Sequence, residues 1–331
     1  MELREVPKPV PGAGEVLIEV KAAGVCGTDL HVKHDRFPYW PPVVLGHEFA
    51  GGIVRTGEGV ATDWVGARVV GEPHTRACGK CYLCRTGNIR LCPDKRSPGW
   101  GIDGAFARYL CLPEHLLHKI PDGMSYEEAA LVEPTANLVH DVLERGRVEP
   151  SDFVAVLGPG PIGLLAAMVA RTGGARTVVV IGTARDAERR LPIARELGFD
   201  EVWDISEIDP LARTAELTGG RGADLAVECS GAEAAINMAI DLIRKTGRVS
   251  VVGMTGKDKI QFAWDKALFK ACDLYFNLST SYTSWDRAIG LIAGRKVDVR
   301  PLITHRAPLA EWESVFDDLE NQRGLKAVLF P

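Results

Sequence analysis

The residues best suited to chemistry fall in four places. Gly46-His47-Glu48 sets an imidazole beside a carboxylate just after a glycine turn, and such a pair can hold or tune a metal ion. Alone, two polar residues at a strand start are more often a solvent-facing pair than a site. Catalytic zinc takes three ligands from His, Cys and Asp/Glu and keeps one position open, so partners are required. Cys26 upstream and Glu133 downstream are the candidates. An isolated cysteine such as Cys26 is otherwise a small buried residue, and the long separations do not by themselves bring these groups together.

Cys78-x-x-Cys81-x-x-Cys84, followed after seven residues by Cys92, supplies four thiolates over a short loop. That set suits a closed tetrahedral zinc site, which holds shape rather than doing chemistry. Disulfides and an iron–sulfur cluster are the competing readings; a reducing compartment argues against the first, and the lack of flavin or electron-transfer motifs against the second. Gly158-x-Gly160-x-x-Gly163 lies after an apolar run and opens a helical pattern. There glycine permits a tight turn and close approach of a pyrophosphate to helix N-terminal amides. At the end of the next strand, where an NAD site usually presents an acid to the ribose, the residues are Gly182-Thr183-Ala184-Arg185. Thr183 and Arg185 could receive a 2'-phosphate, which favours NADP over NAD; Asp186, one residue on, reads as a helix cap and leaves NAD open.

The elements that must position these groups change character along the chain. From Glu15 to Lys21, Val16, Ile18 and Val20 alternate with Glu15, Leu17, Glu19 and Lys21, which predicts a half-buried strand. Glycines then punctuate short β segments, Arg68-Val69-Val70 among them, as in a small irregular barrel or sandwich. Ser125-Tyr126-Glu127-Glu128 is a capping box opening a helix toward His140, with Pro134 expected to kink or restart it just after Glu133. After Ser151 the texture becomes strand and helix in turn: strands at 153–157, 177–181, 201–204, 224–229 and 247–253, helices at 164–171, 187–197 and 233–244. That rhythm indicates a doubly wound parallel sheet. A plausible edge strand follows at 273–278 and a helix at 285–293. The tail from about Ser281 loses the rhythm and is expected to return to the first domain.

The chain has 331 residues, 46% hydrophobic and 25% charged, which suits a soluble protein of two domains. A net charge of -5 offers no basic footprint for nucleic acid. No apolar run is long enough to span a membrane and the N-terminus begins no signal peptide, so a cytoplasmic protein is expected. Eight cysteines, four of them crowded together, fit a reducing compartment with metal thiolates.

Cys26-Gly27-Thr28-Asp29-Leu30-His31, Gly46-His47-Glu48, the four-cysteine lobe, Leu131-Val132-Glu133-Pro134 and the glycine fingerprint jointly resemble the zinc-dependent medium-chain dehydrogenase/reductases over nearly the whole chain. Glu133-Pro134 and Pro301-Leu302-Ile303-Thr304-His305-Arg306 resemble the polyol and threonine dehydrogenase branch. The resemblance implies a GroES-like β-barrel catalytic domain (1–134 and 281–331, with the zinc lobe at 77–93) and a Rossmann domain (135–280). It implies two zinc ions per chain: a structural one on Cys78, Cys81, Cys84 and Cys92, and a catalytic one on Cys26 and His47, with Glu48 and Glu133 binding directly or through water. The cofactor contacts would be Gly158, Gly160, Pro161, Ile162, Gly163, Thr183, Arg185, Ser230 and Gly253.

The implied reaction is zinc-assisted hydride transfer between a secondary alcohol, a polyol of the sorbitol or L-iditol kind, and NAD(P). In it Thr28 accepts the hydroxyl proton and relays it to His31, and Glu48 acts as an exchangeable partner. Threonine or 2,3-butanediol dehydrogenation is the alternative. A non-catalytic nucleotide-binding protein is a reading of another class, against which the presence of Cys26, His47 and Glu133 argues. Phe37, Tyr39 and Trp40 could line the substrate cleft or equally pack the surface. The edge strand at 273–278 suggests a homodimer or homotetramer. Three features depart from the family pattern: a short N-terminus, Gly182 in place of an acid, and Asn277 where mammalian-type sorbitol dehydrogenases have an arginine.

Overall fold

The computed structural model describes residues 1–331, which divide into two compact units. The first comprises Met1–Glu133, Thr280–Ala293 and Ile303–Pro331; the second comprises Pro134–Ser279 and Gly294–Leu302. The tail therefore does not return whole to the first unit: Gly294–Leu302 clusters with the second.

The first unit is built on a seven-stranded sheet whose central strand is Glu15–Gly24. It pairs antiparallel with Glu48–Thr56, Tyr109–Pro113 and Lys326–Phe330. The strand Ile303–Pro308 joins Lys326–Phe330 in parallel at one edge, and Arg68–Gly71 and Leu117–Lys119 continue beyond Glu48–Thr56. Val16, Ile18, Val20, Phe49, Ile53, Val69 and Leu112 form its apolar core. Leu17, expected on the solvent face, is 2% exposed. A half-buried alternation thus understates this strand, which has a partner on either side and cover on both faces.

The helix opened at Ser125 behaves as its capping box requires. The Ser125 N–H and hydroxyl both donate to Glu128 Oε2 at 2.9 Å, and the Glu128 N–H donates back to Ser125 Oγ. It ends at Ala130, however, and a new helix runs Val132–Leu138. The restart therefore precedes Glu133 rather than following it. This puts Pro134 in a first turn, where its missing N–H leaves nothing unsatisfied.

Elsewhere in the first unit the buried His118 and Glu72 form a polar cluster with the exposed Asp286. His118 Nε2 meets Glu72 Oε1 at 3.0 Å, its Nδ1 meets Asp286 Oδ1 at 3.1 Å, and the Trp285 ring stacks on it at 5.4 Å. Burial opposes the charged imidazole, but the two carboxylates outweigh it and hold the His118 pKa above its usual value. A raised folded pKa gives stability that is complete below the unfolded value near 6.5 and is lost as pH rises through the folded one. His118→Gln should therefore lower the melting temperature at pH 6 clearly more than at pH 9. Equal losses at both pH values, read by calorimetry, would show that the imidazolium is not what stabilises the cluster.

The second unit is a six-stranded, all-parallel sheet in the spatial order 201–204, 177–182, 153–157, 223–228, 243–251, 273–276. In chain order this is 3-2-1-4-5-6, the dinucleotide-binding arrangement, with its ligand crevice beyond the ends of the first and fourth strands. Strand Phe153–Leu157 is buried at every residue, as a central parallel strand should be. Two helices went unread in the sequence: Pro210–Thr218, capped by Asp209, and Trp264–Lys270. Strand Asp273–Phe276 is an edge, and near it Trp264, Leu268, Phe269 and Phe276 are between 64% and 78% exposed.

Candidate active site

Strand pairing brings the candidate metal ligands of the first unit together. Gly24 is registered opposite Glu48, so Cys26, two residues past the end of one strand, meets His47, one residue before the start of the other. The Sγ of Cys26, a ring nitrogen of His47 and a carboxylate oxygen of Glu48 all lie within 4.8 Å of one another. Four-coordinate zinc, with ligand bonds of about 2.0–2.3 Å, separates its ligands by about 3.3–3.8 Å, so a small inward movement closes the set.

Gly46 makes the approach to His47 feasible. Its φ is +93°, and a Cβ there would sit 2.7 Å from the Phe106 ring. Its carbonyl accepts from the Ala105 N–H at 2.8 Å.

Two charged residues that sequence reasoning did not assign to the site complete its surroundings. Asp29 caps the helix Gly27–Lys33: one carboxylate oxygen accepts from the Cys26 N–H at 2.9 Å and the other faces His47 Nδ1 at 3.7 Å. A carboxylate on the far nitrogen of a ligating histidine fixes the ring's orientation. Lys326, 3% exposed, sits on the last strand and pairs with the Glu48 carboxylate, while its ammonium donates to the Val25 carbonyl at 2.9 Å. Burial works against the Lys326 charge, and Glu48, Cys26 and Glu133 outweigh it, so its pKa is raised. Its visible signal was a lone lysine in the run Leu325–Phe330, but nothing local tied that run to His47.

Glu133, 7% exposed, lies outside the 4.8 Å triplet, yet its charge is felt by His47. Burial disfavours the His47 imidazolium, but Cys26, Asp29 and Glu133 together hold its pKa well above the usual value. Surroundings that stabilise a buried cation this strongly fit a metal ion held by the same donors. The Thr28 hydroxyl lies 3.6 Å from Cys26 Sγ, and His31 is three residues further along the same helix, on the same face.

The four cysteines of the lobe converge. Cys78 Sγ is 4.0 Å from Cys84 Sγ, and Cys81 Sγ is 4.0 Å from Cys92 Sγ, close to the roughly 3.8 Å edge of a zinc–sulfur tetrahedron. Backbone N–H groups of Cys78, Cys81 and Cys84 each donate to a neighbouring sulfur at 3.4 Å. The thiols conflict: backbone N–H groups of Lys80 and Cys81 draw Cys78 down to about 7, while burial and the Cys81 sulfur push Cys84 up to about 12. A tetrahedral dication would resolve that conflict.

The aromatic loop is anchored as well. Phe37 and Trp40 pack on Trp100 with ring centroids 6.2 and 5.4 Å apart, and the Tyr39 hydroxyl donates to Asp35 at 2.7 Å.

In the second unit Gly158 has φ +98°, and a Cβ on Gly163 would collide with the Gly158 carbonyl. Gly160 is the N-cap of helix Pro161–Thr172, and a Cβ on it would meet nothing within 4 Å, which leaves room for a phosphate before the free amides of Ile162 and Gly163. Glu228, fully buried and unassigned from the sequence, ties the neighbouring loops. It accepts from the N–H and hydroxyl of Ser230 at 2.8 and 2.5 Å and from the Gly231 N–H, while its carbonyl accepts from Gly253. Ser230 and Gly253 thus hold the loops in place rather than offering free donors.

At the second strand end, Asp186 accepts from the N–H and hydroxyl of Thr183 at 2.9 and 3.0 Å and pairs with Arg190. The acid is a cap and the Thr183 proton is already donated, which leaves the exposed Arg185 as the free donor. Asn277 donates to Ser250 Oγ at 2.8 Å and to two carbonyls of its own sheet, so its amide points inward.

Residues 12–122 match the alcohol dehydrogenase GroES-like domain and residues 161–294 the zinc-binding dehydrogenase domain. The chain is 39% identical to the sorbitol dehydrogenase of Halalkalibacterium halodurans, covering 99% of this chain and 95% of that one. It is 36% identical to the L-threonine 3-dehydrogenase of Bacillus licheniformis, over 98% and 94% of the two chains. A zinc-binding dehydrogenase of Sinorhizobium meliloti, solved bound to NADP, superposes with a TM-score of 0.92 at 31% identity, covering 99% of this chain and 95% of that one.

Proposed function

The chain belongs to the zinc-dependent, NAD(P)-linked alcohol dehydrogenases of the medium-chain dehydrogenase/reductase family, and from that premise we propose that it oxidises a secondary alcohol of a polyol, or reduces the ketone, with NADP. The observation that carries this reading is the Cys26, His47 and Glu48 triplet, a mixed donor set of the kind that suits a catalytic rather than a closed zinc site. Bound zinc supplies Lewis acidity that lowers the pKa of the substrate hydroxyl, and the nicotinamide accepts the hydride.

The chain's own residues do the rest. Cys26 and His47 hold the metal, with Asp29 orienting the imidazole. Glu48, paired with Lys326, would offer the metal a carboxylate, and Glu133 would serve as the remaining one, directly or through water. Thr28 Oγ1 takes the hydroxyl proton and His31 passes it to solvent. Cys78, Cys81, Cys84 and Cys92 hold a second zinc that shapes their loop. The apolar side chains around edge strand Asp273–Phe276 suit a homodimer contact.

NADP is favoured because no acid stands free at the second strand end and Arg185 does. A spectrophotometric screen of polyols, diols and L-threonine with both cofactors tests the reading. We expect polyol oxidation with kcat/KM at least about tenfold better for NADP, and an Arg185→Ala variant that loses about tenfold to a hundredfold of that preference. A tenfold preference for NAD would refute the cofactor assignment, and activity on L-threonine with none on polyols would overturn the substrate class.

A further inference from the structure

Lys95 is 8% exposed, and its ammonium makes neither a hydrogen bond nor an ion pair. Its Nζ lies 5.7 Å from the centroid of the Trp100 ring. Trp100 Nε1 and His74 Nδ1 nearby are sealed from solvent without partners. A buried cation left without oxygen partners is costly, and groups of this kind persist where a ligand supplies the missing acceptors.

The loop that carries Lys95 is fastened to the metal site. Gly99 packs on Gly46, where a Cβ would lie 3.1 Å from the Gly46 nitrogen. The Gly104, Ala105 and Phe106 N–H groups donate to the carbonyls of Val44, Gly46 and Leu45 at 2.7, 2.8 and 2.8 Å. The segment joined to Lys95 is thus strapped to the residues immediately before His47, and the Lys95 charge lies within the field of Glu133.

We propose that Lys95 anchors an anionic substituent of the substrate, a phosphate or a carboxylate carried on the alcohol, beside the catalytic centre. This rests on the dehydrogenase reading above and deepens it: the substrate is a charged alcohol rather than a free polyol. Such an anion would gain a charge-assisted hydrogen bond that a neutral hydroxyl gains only weakly.

The test compares kcat/KM for matched alcohols: sorbitol against sorbitol 6-phosphate, and threoninol against L-threonine. The unaltered enzyme should prefer one anionic member at least about tenfold, and the pair that shows the preference identifies the anion. In Lys95→Met the anionic-to-neutral ratio should fall about tenfold to a hundredfold, through KM more than kcat, and Lys95→Arg should restore most of it. Should Lys95→Met fail to fold, inorganic phosphate and acetate serve as probes of the unaltered enzyme. One of them should then compete with a neutral alcohol, and competition by neither overturns the proposal. Turnover of neutral alcohols with no anionic preference, or a ratio unmoved in Lys95→Met, leaves Lys95 a structural partner of Trp100 and sinks this inference while the dehydrogenase reading stands. Absence of any turnover across the panel with both cofactors defeats the dehydrogenase reading itself.

Discussion

His47→Ala should lower kcat/KM for the best alcohol by at least about a thousandfold and reduce bound zinc from two ions to one per chain. The size follows from the several kcal/mol that a Lewis acid contributes to such a reaction, each 1.36 kcal/mol being worth a factor of ten. The loss should be specific, because His47 lies before its strand rather than within the apolar core, and the cysteine lobe does not share its ligands. Circular dichroism, and the melting profile compared on protein stripped of the catalytic metal, should stay close to those of the unaltered chain. Cys92→Ser should do the reverse and empty the lobe first. If His47→Ala retained two zinc ions and more than a tenth of the activity, the assignment of the catalytic metal to this triplet would fail.

Lys326→Met should be the most destabilising single change at the site, costing about 3–5 kcal/mol, because it leaves the Glu48 carboxylate buried without its cation. In a chain of this size that corresponds to roughly 4–7 °C in melting temperature, measured on protein stripped of the catalytic metal so that Glu48 has no other cation. Adding Glu48→Gln should recover at least half the loss, since the neutral amide no longer demands a counter-charge. A single variant that melts within 2 °C of the parent, or a double variant no better than the single, would mean that the pair does not link the last strand to the site.

Much of the second unit was legible in the sequence because its strands are buried on both faces and read as unbroken apolar runs. Strands 153–157 and 201–204 carry the expected bounds. Helix Pro210–Thr218 has a local signal, Asp209 as its N-cap and Pro210 in its first turn. Helix Trp264–Lys270 was harder, since Trp264, Leu268 and Phe269 point outward and break the apolar period. In the first unit the unread elements are non-local. Lys326–Phe330 pairs with Glu15–Gly24 some three hundred residues away, and no local pattern encodes that partnership.

The site shows the same division. The four lobe cysteines could be picked out by residue type and spacing, whereas Cys26, His47 and Glu48 stood out only as residue types and were joined by the family resemblance. Asp29, Lys326 and Glu228 could not be assigned, because each acts through a hydrogen bond or ion pair that exists only once the strands are registered. Thr183 and Ser230 were visible as hydroxyls beside the cofactor fingerprint, but their protons go to Asp186 and Glu228.

The central claim is that one chain carries a catalytic zinc on mixed ligands and a structural zinc on four thiolates. Anomalous scattering at the zinc edge from crystals of the purified protein tests it most directly. The expected map holds two peaks per chain, one about 2.0–2.3 Å from Cys26 Sγ and a His47 ring nitrogen, the other about 2.3 Å from the sulfurs of Cys78, Cys81, Cys84 and Cys92. A catalytically active crystal with no peak at Cys26 and His47 would contradict the account.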